Sequence, residues 1–302
     1  MTEILIQLAP IYLYFGLGVI LRFTGVANKS HGEFLLQLVL MLTLPLLVLS
    51  TLPMITMTLN KAILPVANIA ISLACMLITL ILIKLFRVER KKAGTMLVST
   101  MILNNLYMFP FILFVYGSAA FTDAILFDFG NTLLMSTYVY VLAFKYGGEE
   151  HAGMIMLNKM LKSPVIWSIV ISLALAIIGI PLPNPVYGII NPVAQMTAPL
   201  ILIALGIFFS LQIQEVKLVV MTIFVRMGMG FLFGVAIANY LKLTETTFIV
   251  VALCGAAPVG FNALSYTTMA KLDSPLGASA VSISNLAGLI YFPLLMLYFG
   301  LF

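Results

Sequence analysis

Charge is what this sequence has least of. Asp, Glu, Lys and Arg make up 8% of its 302 residues, and apolar residues make up 63%. A soluble domain carries about a quarter charged residues. No water-soluble fold hides this much apolar surface, so a soluble domain is excluded and a multi-pass membrane protein is expected. Cysteine is also scarce. Cys75 and Cys254 both lie in apolar runs, with no partner spacing, which excludes a disulfide framework and a thiolate metal site. The two histidines, His31 and His151, fall in loops and read as solvated surface. No nucleophile triad, glycine-rich phosphate loop or low-complexity segment is present, so an enzyme is not expected. The Met-Thr-Glu start has no positive flank, and the run behind it is long enough to span, so it reads as a retained helix rather than a signal peptide.

What is present is a series of apolar runs. Five fall near 4–24, 33–54, 61–85, 94–116 and 119–145, and five more near 164–181, 187–211, 217–240, 246–269 and 275–301. Each matches the roughly 20 residues a bilayer requires. The net charge of +5 is read as a topology signal, and no nucleic-acid partner is expected. Loops after odd-numbered runs hold Arg22, Lys29, Arg87, Arg90, Lys91, Lys92, Lys145 and others; loops after even-numbered runs hold Lys61 and Lys242. Cytoplasmic loops are the basic ones. Both termini are therefore expected outside, in a plasma (inner) membrane.

The two sets also repeat. Pro10 and Pro164, Gly25 and Gly179, Thr43 and Thr197, Pro45 and Pro199, and Asn131 and Asn285 are each 154 residues apart. A five-span unit repeated in tandem re-enters the bilayer upside down. The expected fold is all-α: ten transmembrane helices as two inverted five-helix repeats, residues 1–150 and 151–302. The basic loop from Arg87 to Lys92 faces a counterpart near 242–245 with one lysine, so the charge inverts as that topology requires.

Inverted-repeat carriers hold substrate near the midplane, beside discontinuous helices. Two matched spans combine a mid-span proline with asparagine: Asn104-Asn105-Leu106-Tyr107-Met108-Phe109-Pro110, and Pro258 to Asn262. Proline removes a backbone donor, and asparagine satisfies freed groups or reaches a ligand. Single segments of this kind read as kinks; the matched pair points to two broken helices that cross. Asn104, Asn105, Tyr107, Pro110, Pro258 and Asn262 are candidate substrate-binding residues. Asn131 and Asn285 join them on their shared offset, ahead of a reading as interhelical glue. Thr43 and Thr197 precede proline motifs that shape a scaffold, and Gln195 is one turn earlier; all three are expected to line the cavity. Two ionisable groups lie deep in spans. Arg226 has two equal readings, a counter-ion for an anionic substrate or a side chain that snorkels to the interface. Asp128 reads as a proton or cation site, or as a partner of Arg226. Asp123 is expected at the interface.

At these residues the chain resembles the auxin efflux carrier family, which includes the PIN-type carriers and the bacterial malate and malonate permeases. The family sits beside the bile-acid sodium symporters in a wider superfamily. Thr-Leu-Pro at 43–45, Ala-Ala-Pro-Val-Gly-Phe-Asn at 256–262 and the last helix from Ser282 to Pro293 carry the likeness, which covers the whole chain. The stretch from Asn104 to Pro110 departs from it in having no glycine. The resemblance implies broken, crossing helices 4 and 9 and a scaffold of helices 1, 2, 6 and 7. The other six would form a moving transport domain, in an elevator-type carrier that is commonly a homodimer. It implies a small carboxylate substrate. Physically, helix N-termini attract anions, and asparagine amides donate without adding a fixed charge. The expected function is secondary or facilitative transport of a small organic anion, with no cofactor beyond Na+ or H+ as a coupling ion. The alternatives are a sodium-coupled symporter of a related anion and a non-transporting membrane sensor on the same fold.

Overall fold

A computed structural model of the chain describes residues 2–54, 58–148, 162–208, 214–243 and 245–300. His151 and most of the linker between the two expected repeats lie outside the described residues. The described residues are helical throughout, and no strand is present beyond one isolated bridge. In chain order the rods are α1 (Thr2–Phe23), α2 (Lys29–Met54), α3 (Asn60–Phe86), α4 (Arg90–Met101), α5 (Asn105–Gly147) and α6 (Pro164–Ile178). There follow α7 (Asn184–Ile207), α8 (Val216–Tyr240), α9 (Glu245–Gly255), α10 (Phe261–Met269) and α11 (Ser274–Phe299). Seven of them, α1, α2, α3, α5, α7, α8 and α11, are long and apolar enough to cross a membrane. The chain is thus a multi-pass, all-helical membrane protein. The shorter α6 and α9 are also apolar.

Local chemistry sets the ends. Asn28 caps α2 by accepting from the Ser30 and His31 backbones, while His31 closes the box by accepting from the Asn28 N–H. Arg87, Gly148 and Gly179 end their helices in the left-handed region. The 43 residues of α5 are interrupted at Gly117, whose φ of 78° and ψ of −173° belong to a region only glycine enters freely. That interruption lies between the fourth and fifth apolar runs read from the sequence. Three π-helical turns lie within rods, at Val39–Thr43, Met135–Val139 and Phe224–Met229.

The rods pack in two groups. In one, α1 lies along α7, and α2 packs on α6 and α7. The α1–α7 approach depends on two glycines. A Cβ on Gly18 would stand 2.1 Å from the Ile203 carbonyl oxygen, and one on Gly206 would stand 2.2 Å from that of Phe15. In the other group, α3 packs on α4, α5 and α8, α9 lies between α5 and α8, and α11 packs on α4, α8 and α10. The two groups meet chiefly along α5, which touches α1, α2 and α7. The main apolar core continues from one group into the other and includes Leu8, Val48, Tyr107, Phe111 and Phe121.

Candidate functional site

Two helix interruptions face each other at the centre of the second group. The first is three residues, Ile102 to Asn104, between α4 and α5. The second runs from Ala256 to Gly260, between α9 and α10. They pair antiparallel across Leu103 and Val259. The Asn104 N–H donates to the Pro258 carbonyl at 2.9 Å, and the Gly260 N–H to the Ile102 carbonyl at 2.9 Å. Pro258 stands within its break, as its missing N–H requires. Pro110 does not: the helix continues through it, six positions into α5.

Side chains fix these two interruptions in place. Asn131 grips the Leu103 peptide from both sides, accepting from its N–H and donating to its C=O, each at 3.2 Å. Ser284 accepts from the Val259 N–H at 3.1 Å. Asn104 caps the new helix by accepting from the Tyr107 N–H, and its amide donates to the Asn285 side-chain oxygen at 2.8 Å. Tyr107, fully buried, donates to the Asn285 carbonyl at 3.0 Å. Asp128 accepts at a single oxygen from the amides of Asn105 and Asn131, at 2.8 and 2.9 Å. Asn105 is 1% exposed, and its own amide oxygen has no partner.

A cavity of about 270 Å³ opens on this cluster. Asn104, Asn105, Asp128, Asn131, Gly260 and Asn262 line one wall, and Leu36, Leu40, Leu44 and Ile169 of α2 and α6 line the other. The first residues of α5 and of α10 both line it. The first N–H groups of a helix have no acceptor within that helix, and α10 has no side-chain cap. Asn262 is exposed within the cavity. A second cavity, of about 570 Å³, lies along the same seam between groups. Its lining includes Ser50, Met54, Leu113, Ser118, Tyr187 and Gln195.

Other candidates fall elsewhere. Gln195 faces the second cavity rather than the first. Thr197 is buried and donates to the Ala194 carbonyl, and Thr43 is buried with no partner for its hydroxyl. Arg226 lines neither cavity and is fully buried. Its guanidinium donates to the Thr100 carbonyl at the end of α4 and to the Gly255 carbonyl at the end of α9. It forms no pair with Asp128. Asp123 is buried within the protein, bridged to Lys61 at 3.2 Å and accepting from Thr247 at 2.7 Å. The sequence reading missed Ser284, although it follows the same Asn-rich logic one residue before Asn285.

Apolar spanning helices around a polar, mid-protein cavity are the arrangement expected of a membrane transporter. The family described as "Membrane transport protein" matches residues 3–296. The chain belongs to that family, in keeping with its resemblance to the auxin efflux carriers. A relative named as an uncharacterized transporter, from Methanothermobacter thermautotrophicus, is 22% identical over 284 residues, covering 92% of each chain.

Proposed function

We propose that the protein is a secondary carrier of a small organic anion, a carboxylate, working by alternating access. The observation that carries this reading is that two helix N-termini, at Asn105 and Phe261, open onto one cavity among asparagine amides. Each terminus brings about half a positive charge, and the first N–H groups of α10 have no side-chain cap. The interruptions, the Gly117 break and the apolar runs support ten spans in two inverted repeats, 1–150 and 151–302, with helices 4 and 9 broken and crossing. On this reading α1, α2, α6 and α7 are the scaffold and the second group moves against it as an elevator, in a homodimer in the plasma membrane.

Asp128 defines the coupling. Asp128 lines the cavity that receives the anion, and an ionised carboxylate there repels the substrate. Protonation removes that repulsion, so the substrate and a proton travel together. The test is counterflow of labelled dicarboxylates and monocarboxylates in proteoliposomes. Exchange of a carboxylate is expected; no movement of any organic anion refutes the carrier reading. Asp128→Asn keeps an oxygen to accept from Asn105 and Asn131. It is expected to retain counterflow and to lose accumulation driven by a proton gradient. Undiminished gradient-driven accumulation in that variant removes Asp128 from coupling.

A further inference from the structure

Arg226 is a fully buried cation held by backbone alone. Its two terminal nitrogens donate to the Thr100 and Gly255 carbonyls, one from each of two different helices. The ion pairs among the described residues are Lys61–Asp123 and Lys92–Glu215, and neither involves it. A buried charge without a counter-charge is costly, so something must balance it. The partners supply the balance. Both carbonyls belong to the last turn of a helix, and each helix C-terminus carries about half a negative charge. Two such ends sum to about one, the charge of the guanidinium. The surroundings are shaped for this group. Arg226 sits in the π-helical turn Phe224–Met229, and a Cβ on Gly230 would lie 2.5 Å from its Nη2.

In discontinuous-helix carriers, half-helix C-termini and unwound carbonyls are where Na+ is coordinated. Here the Thr100 and Gly255 carbonyls are already occupied by the guanidinium, and the Ile102, Leu103 and Pro258 carbonyls accept from Gly260, Asn131 and Asn104. These residues do not fit a sodium ion. We propose that Arg226 is a resident cation standing in the place of a coupling metal ion, so that the crossover is neutralised in every state and the carrier works without Na+. The consequence rests on the carrier reading above. With both C-termini balanced, protonation of Asp128 leaves the positive ends of the two N-termini at the cavity to an anion.

The experiment needs no substrate, so its outcome is separate from that of counterflow. Purified protein is melted in NaCl, KCl and choline chloride at matched ionic strength. The wild type is expected to melt at one temperature in all three; a rise specific to Na+ overturns the proposal. Arg226→Ala opens a space between the two carbonyls and is expected to melt lower. Millimolar guanidinium should restore part of the loss, and urea, its neutral isostere, should not. Equal effects of guanidinium and urea, or none from either, overturn the charge role. If that variant does not fold, the salt comparison on the wild type decides alone. In proteoliposomes, anion exchange should be equal with Na+ and with choline.

Discussion

Asparagine does two different jobs at this site, and burial separates them. Asn131 is buried and satisfies both the N–H and the C=O of Leu103, a residue itself only 3% exposed. Asn131→Ala orphans both groups, at roughly 1–3 kcal/mol each. The variant should melt well below the wild type before any ligand is added. Asn262 is exposed in the cavity, and among the described residues no hydrogen bond holds its side chain. Asn262→Ala should melt with the wild type and bind substrate up to about tenfold more weakly, the worth of one hydrogen bond. Thermal melts with and without the transported anion separate the two variants. A stable Asn131→Ala, or an Asn262→Ala of unchanged affinity, contradicts the assignment of that residue.

Helix interruptions, more than side chains, make the architecture, and they differ in how readable they are. Gly117 breaks α5 by backbone conformation alone, since a Cβ there meets nothing within 4 Å. Gly117→Ala therefore measures that conformation directly and should cost about 1–3 kcal/mol. Gly16, also without neighbours within 4 Å but at an ordinary helical position, is the control: Gly16→Ala should be neutral or slightly stabilising. Equal effects at both positions would falsify the claim that the Gly117 conformation is one only glycine adopts freely. The central interruptions were legible from residue type because Pro258 and the asparagines are rare inside apolar runs. Their boundaries were less so. Pro110 drew attention to the wrong turn, because the α4–α5 break is placed by pairing with Val259 and by the Asn131 clamp, contacts far along the chain. The role of Arg226 was not legible at all. A guanidinium ten residues into a span looks the same whether it meets substrate, lipid headgroups or two helix ends brought together by the fold.

Across the whole molecule, the two cavities along the seam define a direction. The first is bordered by Leu36 and Ser163, close in sequence to Lys29 and Lys162; the second is bordered by Met54, Ser118 and Tyr187, near loops poor in Lys and Arg. On the proposed orientation, with the basic loops cytoplasmic, the first cavity faces the inside and the second the outside. Apolar side chains of α2 and α5 line both cavities, Leu44 and Phe109 the first and Leu47 and Leu113 the second. On the proposed elevator mechanism, a substrate at Asn105 and Asn262 passes those side chains when the group carrying α5 shifts against α2 and α7. Thiol labelling reads the arrangement directly, because the native Cys75 and Cys254 are both buried. In right-side-out and inverted membrane vesicles, Asn262→Cys should react with an impermeant maleimide only from the cytoplasmic face. Ser118→Cys and Gln195→Cys, both at exposed positions, should react only from the other. A saturating transported anion should protect Asn262→Cys and leave Ser118→Cys reactive. Labelling of all three from one face contradicts two opposed cavities, and with them the alternating-access reading.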